Sequence, residues 1–120
     1  MTQHEHPLGL IVDAPSIPWN DHPRFSGIRM QQLLTALDNP RASVSRVHVP
    51  PGGVVGWHTH REQVETVYVL SGQSVLMMGE QEHRFGAGQI VAIPPALEHT
   101  LRNDGSDDVE LLCFFTPPVA

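Results

Sequence analysis

Glycine and proline interrupt this chain so often that long helices have little room to form. The 120 residues include 10 glycines and 11 prolines, and both residue types end helices or open turns. Between them lie short apolar segments rich in β-branched and aromatic side chains, which pack well on the faces of sheets. The sequence therefore predicts an all-β protein of short strands and tight turns.

Eight segments have the length and composition of strands. They recur roughly every eight to twelve residues with turn-forming residues between them, a spacing typical of an antiparallel sandwich or barrel. The predicted strands span residues 43–49, 54–58, 64–70, 74–78, 82–85, 89–93, 99–103 and 109–116. The apolar residues of segment 28–37 fit both helical spacing and strand alternation. We expect a strand followed by a short turn there.

The length of the chain is that of one domain. Residues 1–25 are rich in proline and histidine. We expect them to form an extended arm in front of a β-barrel domain at 26–120. Cys113, the one cysteine, lies in an apolar run, which indicates a buried small hydrophobic residue rather than a catalytic thiol.

The charge balance argues against nucleic acid as a partner. Seven basic and thirteen acidic residues give a formal net charge of −6, and no basic cluster could neutralise a row of phosphates. No apolar stretch has the length needed to span a bilayer, and the N-terminus lacks the basic and apolar regions of a secretory signal. We therefore expect a cytoplasmic protein with no nucleic-acid or membrane partner.

Two histidines and a glutamate lie close together between Gly52 and Gly72. His58 and His60 are two positions apart, so both imidazoles would point to the same face of a strand. Glu65 begins the next predicted strand, and an antiparallel hairpin would bring its carboxylate beside them. Imidazole and carboxylate are good ligands for divalent metals. The segment thus predicts half of a metal site, with chance spacing among eight histidines as the alternative.

A second group of motif residues lies downstream. Five residues separate Gly88 from Pro94, and Ala96, His99 and Asn103 follow at gaps of one, two and three residues. Together with the first segment, this pattern resembles the cupin superfamily, whose motifs are G(X)5HXH(X)3-4E(X)6G and G(X)5PXG(X)2H(X)3N. Every fixed position is met except one, where Ala96 replaces glycine. Either the turn there does not need a positive φ, or a slightly different backbone meets the need.

The resemblance implies a small antiparallel β-barrel of two facing sheets, of the jelly-roll or double-stranded β-helix type, with a metal inside near one mouth. It carries the metal ligands onto His58, His60, Glu65 and His99. The metal would be one divalent transition ion, which could be Fe, Mn, Ni, Zn, Cu or Co. Since small cupins are commonly dimers, we also expect a homodimer.

Charge counting then indicates the ligand class. A divalent ion with one carboxylate and three neutral imidazoles has a local charge of about +1. Such a centre should favour a small-molecule ligand with anionic, preferably bidentate oxygens, such as an enolate, a catecholate or a carboxylate.

Three further residues are candidates for catalytic roles around the metal. Arg46 and His48 share one face of the predicted strand 43–49. If that face points inward, they could orient a substrate or transfer a proton; if it points outward, they are surface or dimer contacts. Gln63 could reach the mouth of the barrel as a neighbour of the ligands, or it could simply be a solvated side chain of the loop.

Other residues have weaker claims to the site. Five apolar residues could line a pocket, although at strand spacing most are expected in the core or an interface: Trp57, Tyr68, Met77, Met78 and Phe85. The arm histidines, His4, His6 and His22, are expected to take no part in chemistry.

The cupin resemblance leaves the reaction open, because dioxygenases, isomerases, cyclases and decarboxylases share the ligand set. We expect a metal-dependent enzyme that acts on a small oxygenated anion, with a dioxygenase-type reaction favoured over isomerisation or cyclisation. The first alternative is a non-catalytic, metal-dependent binding or sensor protein. The second is a metal that mainly ties the barrel together.

Overall fold

Short antiparallel strands form the framework of the molecule in the computed structural model, which describes residues 9–119. The strands are β1 (Asn20–Asp21), β2 (Arg29–Leu34), β3 (Ser43–Val49), β4 (Val54–His58), β5 (Val64–Ser71), β6 (Gln73–Met78), β7 (Gln81–Gly86), β8 (Ile90–Ile93), β9 (His99–Arg102) and β10 (Val109–Thr116). A 3-10 turn at Ala14–Ser16 is the helical element of this part of the chain. The all-β prediction is confirmed. No helix within residues 9–119 has both the length and the apolar character to cross a membrane.

The strands are divided between two sheets. The larger sheet has the order β1-β2-β3-β10-β5-β8, and the smaller has the order β4-β9-β6-β7. Neighbouring pairs are antiparallel in both sheets. Buried side chains from the two sheets, such as Val67 and Leu111 from the larger and Leu76 and Leu101 from the smaller, form one apolar core. This two-sheet arrangement is the predicted jelly-roll barrel.

Strand β2 resolves the ambiguous segment. It pairs with β3 in the register Met30 opposite Val47, and a turn follows in which the Asp38 amide donates to the Thr35 carbonyl at 3.0 Å. The predicted strand and turn are confirmed, because pairing with β3 satisfies backbone groups that a short isolated helix would leave partly exposed.

The described part of the N-terminal segment lies against the larger sheet. The buried Gln31 donates from Nε2 to the carbonyl oxygens of Ala14 and Ile17, at 3.0 and 2.8 Å. Strand β1 then adds to the edge of β2. The division of the chain at residue 25 stays a prediction, and His4 and His6 lie outside the described residues.

Candidate metal centre

Four motif side chains meet between the two sheets. His58 ends β4 and lies directly opposite His99, the first residue of β9. Glu65 is the second residue of β5 in the other sheet, and His60 lies in the connection between β4 and β5. One donor atom from each of the four lies within 4.8 Å of the others. Donors this close could hold one metal ion after small side-chain movements.

The predicted hairpin of β4 and β5 is wrong. Strand β4 pairs with β9 in the smaller sheet, whereas β5 pairs with β10 and β8 in the larger. The connection therefore crosses the barrel, and Glu65 faces His58 across the interior. Strands that follow each other in sequence often pair, but which strands pair depends on the topology of the whole chain.

A bulge in β4 positions His58. Val55 pairs with Leu101 and His58 with His99, so β4 has one extra residue between these two pairs. Such an insertion bends a strand and redirects its side chains. A Cβ atom at Gly56, within the bulge, would lie 3.2 Å from the Phe25 ring. Glycine therefore lets Phe25 pack closely beside the histidine.

Backbone carbonyls orient two of the imidazoles. His58 donates from Nδ1 to the Gly56 carbonyl at 2.7 Å, and His99 donates from Nδ1 to the Leu97 carbonyl at 2.9 Å. A carbonyl oxygen only accepts hydrogen bonds, so the proton is on Nδ1 in both rings. In the neutral form of each ring, Nε2 then carries the lone pair that a metal would take, an arrangement common among metal-binding histidines.

Glu65 is buried beside these rings. His99 Nε2 lies 3.0 Å and His60 Nε2 3.4 Å from Glu65 Oε1. Burial alone would raise the pKa of Glu65, but the two imidazoles at its oxygens outweigh burial and lower the pKa to about 2. The site therefore contains an ionised carboxylate at neutral pH.

The histidine pKa values shift in opposite directions. Burial lowers the pKa of His58. Burial also acts to lower the pKa of His99, but its bond to Glu65, together with the one to the Leu97 carbonyl, raises the pKa overall. His58 is therefore favoured in the neutral, ligating form, whereas at His99 a metal competes more strongly with a proton.

His60 provides the test of whether a metal fits. Its Nε2 atom is buried and has no hydrogen-bond partner among residues 9–119, because the approach to Glu65 at 3.4 Å lacks hydrogen-bond alignment. An unpaired buried nitrogen costs free energy, and coordination to a cation would remove that cost. Three imidazoles and one carboxylate form a donor set suited to divalent transition metals. The residues present fit such an ion.

The four side chains open onto a cavity of about 430 Å³ inside the barrel. Its walls are mostly aliphatic and aromatic, and they include Val67, Leu76, Phe85, Leu101 and Phe115. The volume lies within the range of small-molecule binding sites. The site thus combines a polar metal-ligating cluster with an apolar space beside it.

Arg46 and His48 lie outside this cavity. Buried and partly exposed residues alternate along β3, and both belong to the partly exposed set. Arg46 forms an ion pair with Glu110 and lies over the Trp19 ring, while His48 Nε2 lies 3.4 Å from Asp108 Oδ2. The outward-facing alternative is therefore the one observed, because the inner face of β3 carries the buried residues Ser43, Ser45, Val47 and Val49.

The remaining candidates are also mostly outside. Gln63 donates to the Pro118 carbonyl at 3.4 Å and does not line the cavity. Of the five apolar candidates, Phe85 lines the cavity, whereas Trp57 is 50% exposed and Tyr68 37% exposed. Cys113 is buried, as predicted, and burial raises the pKa of its thiol.

Sequence reasoning missed the contribution of the N-terminal segment. His22, Arg24 and Phe25 line the cavity, and the Phe25 ring centroid lies 5.4 Å from that of His58. We expected His22 to take no part in chemistry, which stays a prediction, but its place in the cavity wall was not foreseen. The one local signal is the Phe25-Ser26-Gly27 sequence before β2, a turn that could return the chain to the barrel.

The turn at Ala96 does need a positive φ. The first explanation for alanine at this motif position, that no positive φ is needed, is therefore wrong. Ala96 has a φ of 66° and is the third residue of a turn closed between the Leu97 amide and the Pro94 carbonyl at 3.5 Å. Glycine is favoured at this position of type II turns. The Ala96 amide also donates to the His60 carbonyl at 2.8 Å. The turn thus holds the backbone of a candidate ligand.

Two facing antiparallel sheets and an internal histidine-glutamate cluster define a jelly-roll barrel with a candidate metal centre. A family model described as a cupin domain matches residues 45–115. The chain belongs to the cupin superfamily.

Known proteins resemble it along most of its length. An oxalate-binding protein of Thermotoga maritima is 30% identical over 87 residues, which cover 71% of this chain and 72% of that protein. The crystal structure of a predicted oxalate decarboxylase of the same organism has a TM-score of 0.82 at 24% identity, covering 90% of this chain and 99% of that one. KdgF from Halomonas sp. has a TM-score of 0.80 at 19% identity, covering 91% and 94%. Both structures support the assignment of the fold.

Proposed function

We propose that this protein is a metal-dependent enzyme that acts on a small organic molecule with chelating, anionic oxygens, and that the reaction is of the dioxygenase type. The observation that carries the metal assignment is the buried Nε2 of His60, which has no hydrogen-bond partner in the described part of the chain. It lies beside the ionised carboxylate of Glu65 and two imidazoles oriented by carbonyls. A cation satisfies all four groups at once.

The cavity supports a ligand with two parts. A divalent ion has two positive charges, and the one carboxylate beside it has a single negative charge. The net positive charge that remains favours anionic oxygens at the cluster. Side chains such as Val67 and Leu76 in the cavity wall favour an apolar body next to them. Very polar, extended molecules are therefore poor candidates.

When bound, a divalent ion supplies a Lewis acid for a chelating oxygen anion and, if it is redox-active, electrons for a reaction with dioxygen. The chain itself binds and orients the ligand and limits access of water to it. Phe115, whose ring centroid lies 4.9 Å from that of His60, shields one side of the cluster. These features support oxygen-dependent chemistry on a substrate that has an apolar body.

Elemental analysis of protein purified without added metal tests the first part of the proposal. We expect about one transition-metal ion per chain. The variants His60→Ala and His99→Ala should lose this ion. The control variant His83→Ala, which changes an exposed histidine on β7, should keep it. Protein that contains no metal and binds none added would refute the proposal. A His99→Ala protein with unchanged melting temperature would argue against a metal that mainly ties the barrel together.

Oxygen consumption tests the reaction class. Metal-loaded protein is mixed with catechols, β-diketones and 2-oxo acids in an oxygen-electrode cell, with the His99→Ala protein as the blank. We expect uptake with at least one class and none with the variant. Ligand binding without any uptake or product would argue against the dioxygenase assignment.

The non-catalytic alternative is favoured by one finding, the resemblance to the oxalate-binding protein of T. maritima. In that case the protein binds a small dicarboxylate and releases it unchanged. Calorimetric titration of the metal-loaded protein with oxalate, followed by recovery of the oxalate, distinguishes the two functions. Quantitative recovery supports a binder, and its loss supports an enzyme.

We also propose that two copies of the chain pair through the outer face of the larger sheet. Tyr68 lies opposite Ile90 in that sheet and opposite Leu112 on its other side. Tyr68, Leu70 and Ile90 are 37%, 41% and 64% exposed. A contiguous apolar surface of this kind is typical of an interface.

A further inference from the structure

The N-terminal segment forms one wall of the cavity and is held there by backbone hydrogen bonds. The His22 amide donates to the Ile28 carbonyl at 2.8 Å, directly after β1 has paired with β2. Residues 22–25 all line the cavity. The wall is therefore a fixed part of the site.

His22 holds the next residues in position. Its Nδ1 atom accepts hydrogen bonds from the amides of Arg24 at 3.0 Å and Phe25 at 3.4 Å, and its ring packs on that of Phe25 at 4.8 Å. Because Nδ1 accepts, the ring proton is on Nε2. The hydrogen bonds fix the backbone from which the Arg24 side chain extends.

Arg24 is the one arginine or lysine in the cavity wall formed by the described residues. Other arginines have carboxylate partners on the surface, namely Arg46, Arg84 and Arg102. Arg24 instead places its guanidinium carbon 5.2 Å from the centroid of the Phe25 ring. Its positive charge therefore lies beside the cavity.

Phe25 connects this charge to the metal-ligating cluster. The centroid of the same ring lies 5.4 Å from that of His58, so the guanidinium and the cluster both lie close to one aromatic ring. A flat ligand that is held at the cluster and lies along Phe25 would bring its far end beside Arg24. A guanidinium is well suited to bind a carboxylate there.

We propose that Arg24 binds a carboxylate at the end of the substrate remote from the metal. The inference rests on the proposed function and narrows the substrate class to molecules with a chelating oxygen pair and a second acid group about one aromatic ring away. The charges are consistent with this assignment, because the guanidinium of Arg24 offsets the negative charge of the remote carboxylate.

Two probes that differ by one carboxylate test the inference. Catechol and 3,4-dihydroxybenzoate have the same chelating pair, and their affinities for the cobalt-loaded protein are measured from the visible spectrum of the metal. We expect 3,4-dihydroxybenzoate to bind about tenfold more tightly. Arg24→Ala should remove that preference and leave the affinity for catechol within about twofold, whereas Arg24→Lys should keep part of it.

The matched control is Arg41→Ala, which removes the same charge from an exposed position outside the cavity wall and should leave the preference unchanged. Equal affinities for the two probes in the natural protein, or a preference that survives Arg24→Ala, would overturn the inference alone. Cobalt that fails to bind, or bound cobalt that neither probe perturbs, would instead refute the proposed function on which the inference rests.

Discussion

Ala96 is the residue at which the backbone is most visibly constrained near the site. Its φ of 66° places an L side chain in the left-handed region, which costs roughly 1–2 kcal/mol. The constraint persists because the Ala96 amide binds the His60 carbonyl. A candidate metal ligand is thus positioned in part by a strained turn.

Ala96→Gly should therefore stabilise the protein. Relief of the strain exceeds the added flexibility of the unfolded chain, and we expect a net gain of about 0.5–1 kcal/mol in the free energy of unfolding. Urea denaturation measures it. Ala92→Gly, in the strand β8, serves as control. It should lower the free energy of unfolding by about 0.5–1 kcal/mol, because glycine adds flexibility to the unfolded chain without relieving any strain. A loss of stability in both variants would contradict the role assigned to the positive φ.

Protons and metal should compete at the candidate ligands. The lowered pKa of His58 keeps its nitrogen unprotonated to a lower pH than in an ordinary histidine, whereas the raised pKa of His99 means that protons compete more strongly with a metal there. Because ligating imidazoles must be neutral, metal affinity falls as the pH falls. We expect metal to be released between about pH 7 and pH 5.

Metal content after dialysis across that interval provides the measurement. Glu65, with a pKa of about 2, stays ionised throughout, so release in this interval is assigned to the histidines. Constant metal content down to the lower pH would contradict the prediction.

At the scale of elements, Asn103 ties β3 to the loop that follows β9. Its Nδ2 donates to the carbonyls of Val49 and Asp107, at 3.0 and 2.7 Å, and its Oδ1 accepts from the Gly105 amide at 3.0 Å. The side chain is 2% exposed. The asparagine of the second motif therefore has a structural role here.

Asn103→Ala should lower the free energy of unfolding by about 3 kcal/mol, since it removes three hydrogen bonds of a buried side chain and leaves the Val49 carbonyl without this donor. Ser106→Ala, an exposed change in the same loop, should stay within about 0.5 kcal/mol. Chemical denaturation compares the two proteins. Similar stabilities would show that water replaces the lost hydrogen bonds.

Most strands were predictable from local pattern, and the exceptions are informative. The predicted bounds of β3, β4 and β10 agree with the structure, because alternating apolar residues and flanking turns are local signals. The two-residue β1 carries no such signal, since it exists only through pairing with β2. The bulge in β4 was equally hidden, because it depends on the register with β9.

At the scale of the whole molecule, the apolar outer face of the larger sheet predicts a homodimer. We expect light scattering to give the mass of two chains, and the double variant Leu70→Glu and Ile90→Glu to give that of one, because buried like charges oppose association. Leu37→Glu, an exposed leucine on a turn after β2, is the control and should remain dimeric. A monomeric natural protein would contradict the proposal.

The candidate ligands were identifiable from the sequence, whereas the arrangement around them was not. Spacing and the cupin motifs singled out His58, His60, Glu65 and His99, which the fold brings together. The cavity wall near Arg24 had no counterpart in either motif, because a segment far from them in sequence reaches the site only by pairing with β2.

The sequence by itself determined the short strands, the turns between them and the residues able to ligate a metal, because these depend on backbone preferences and side-chain chemistry over a few positions. Only the tertiary structure decided that β4 and β5 lie in different sheets, that Arg46 faces outward and that the N-terminal segment lines the cavity. Sheet partners and inward faces are selected by burial over the whole chain, and no short stretch of sequence contains that information.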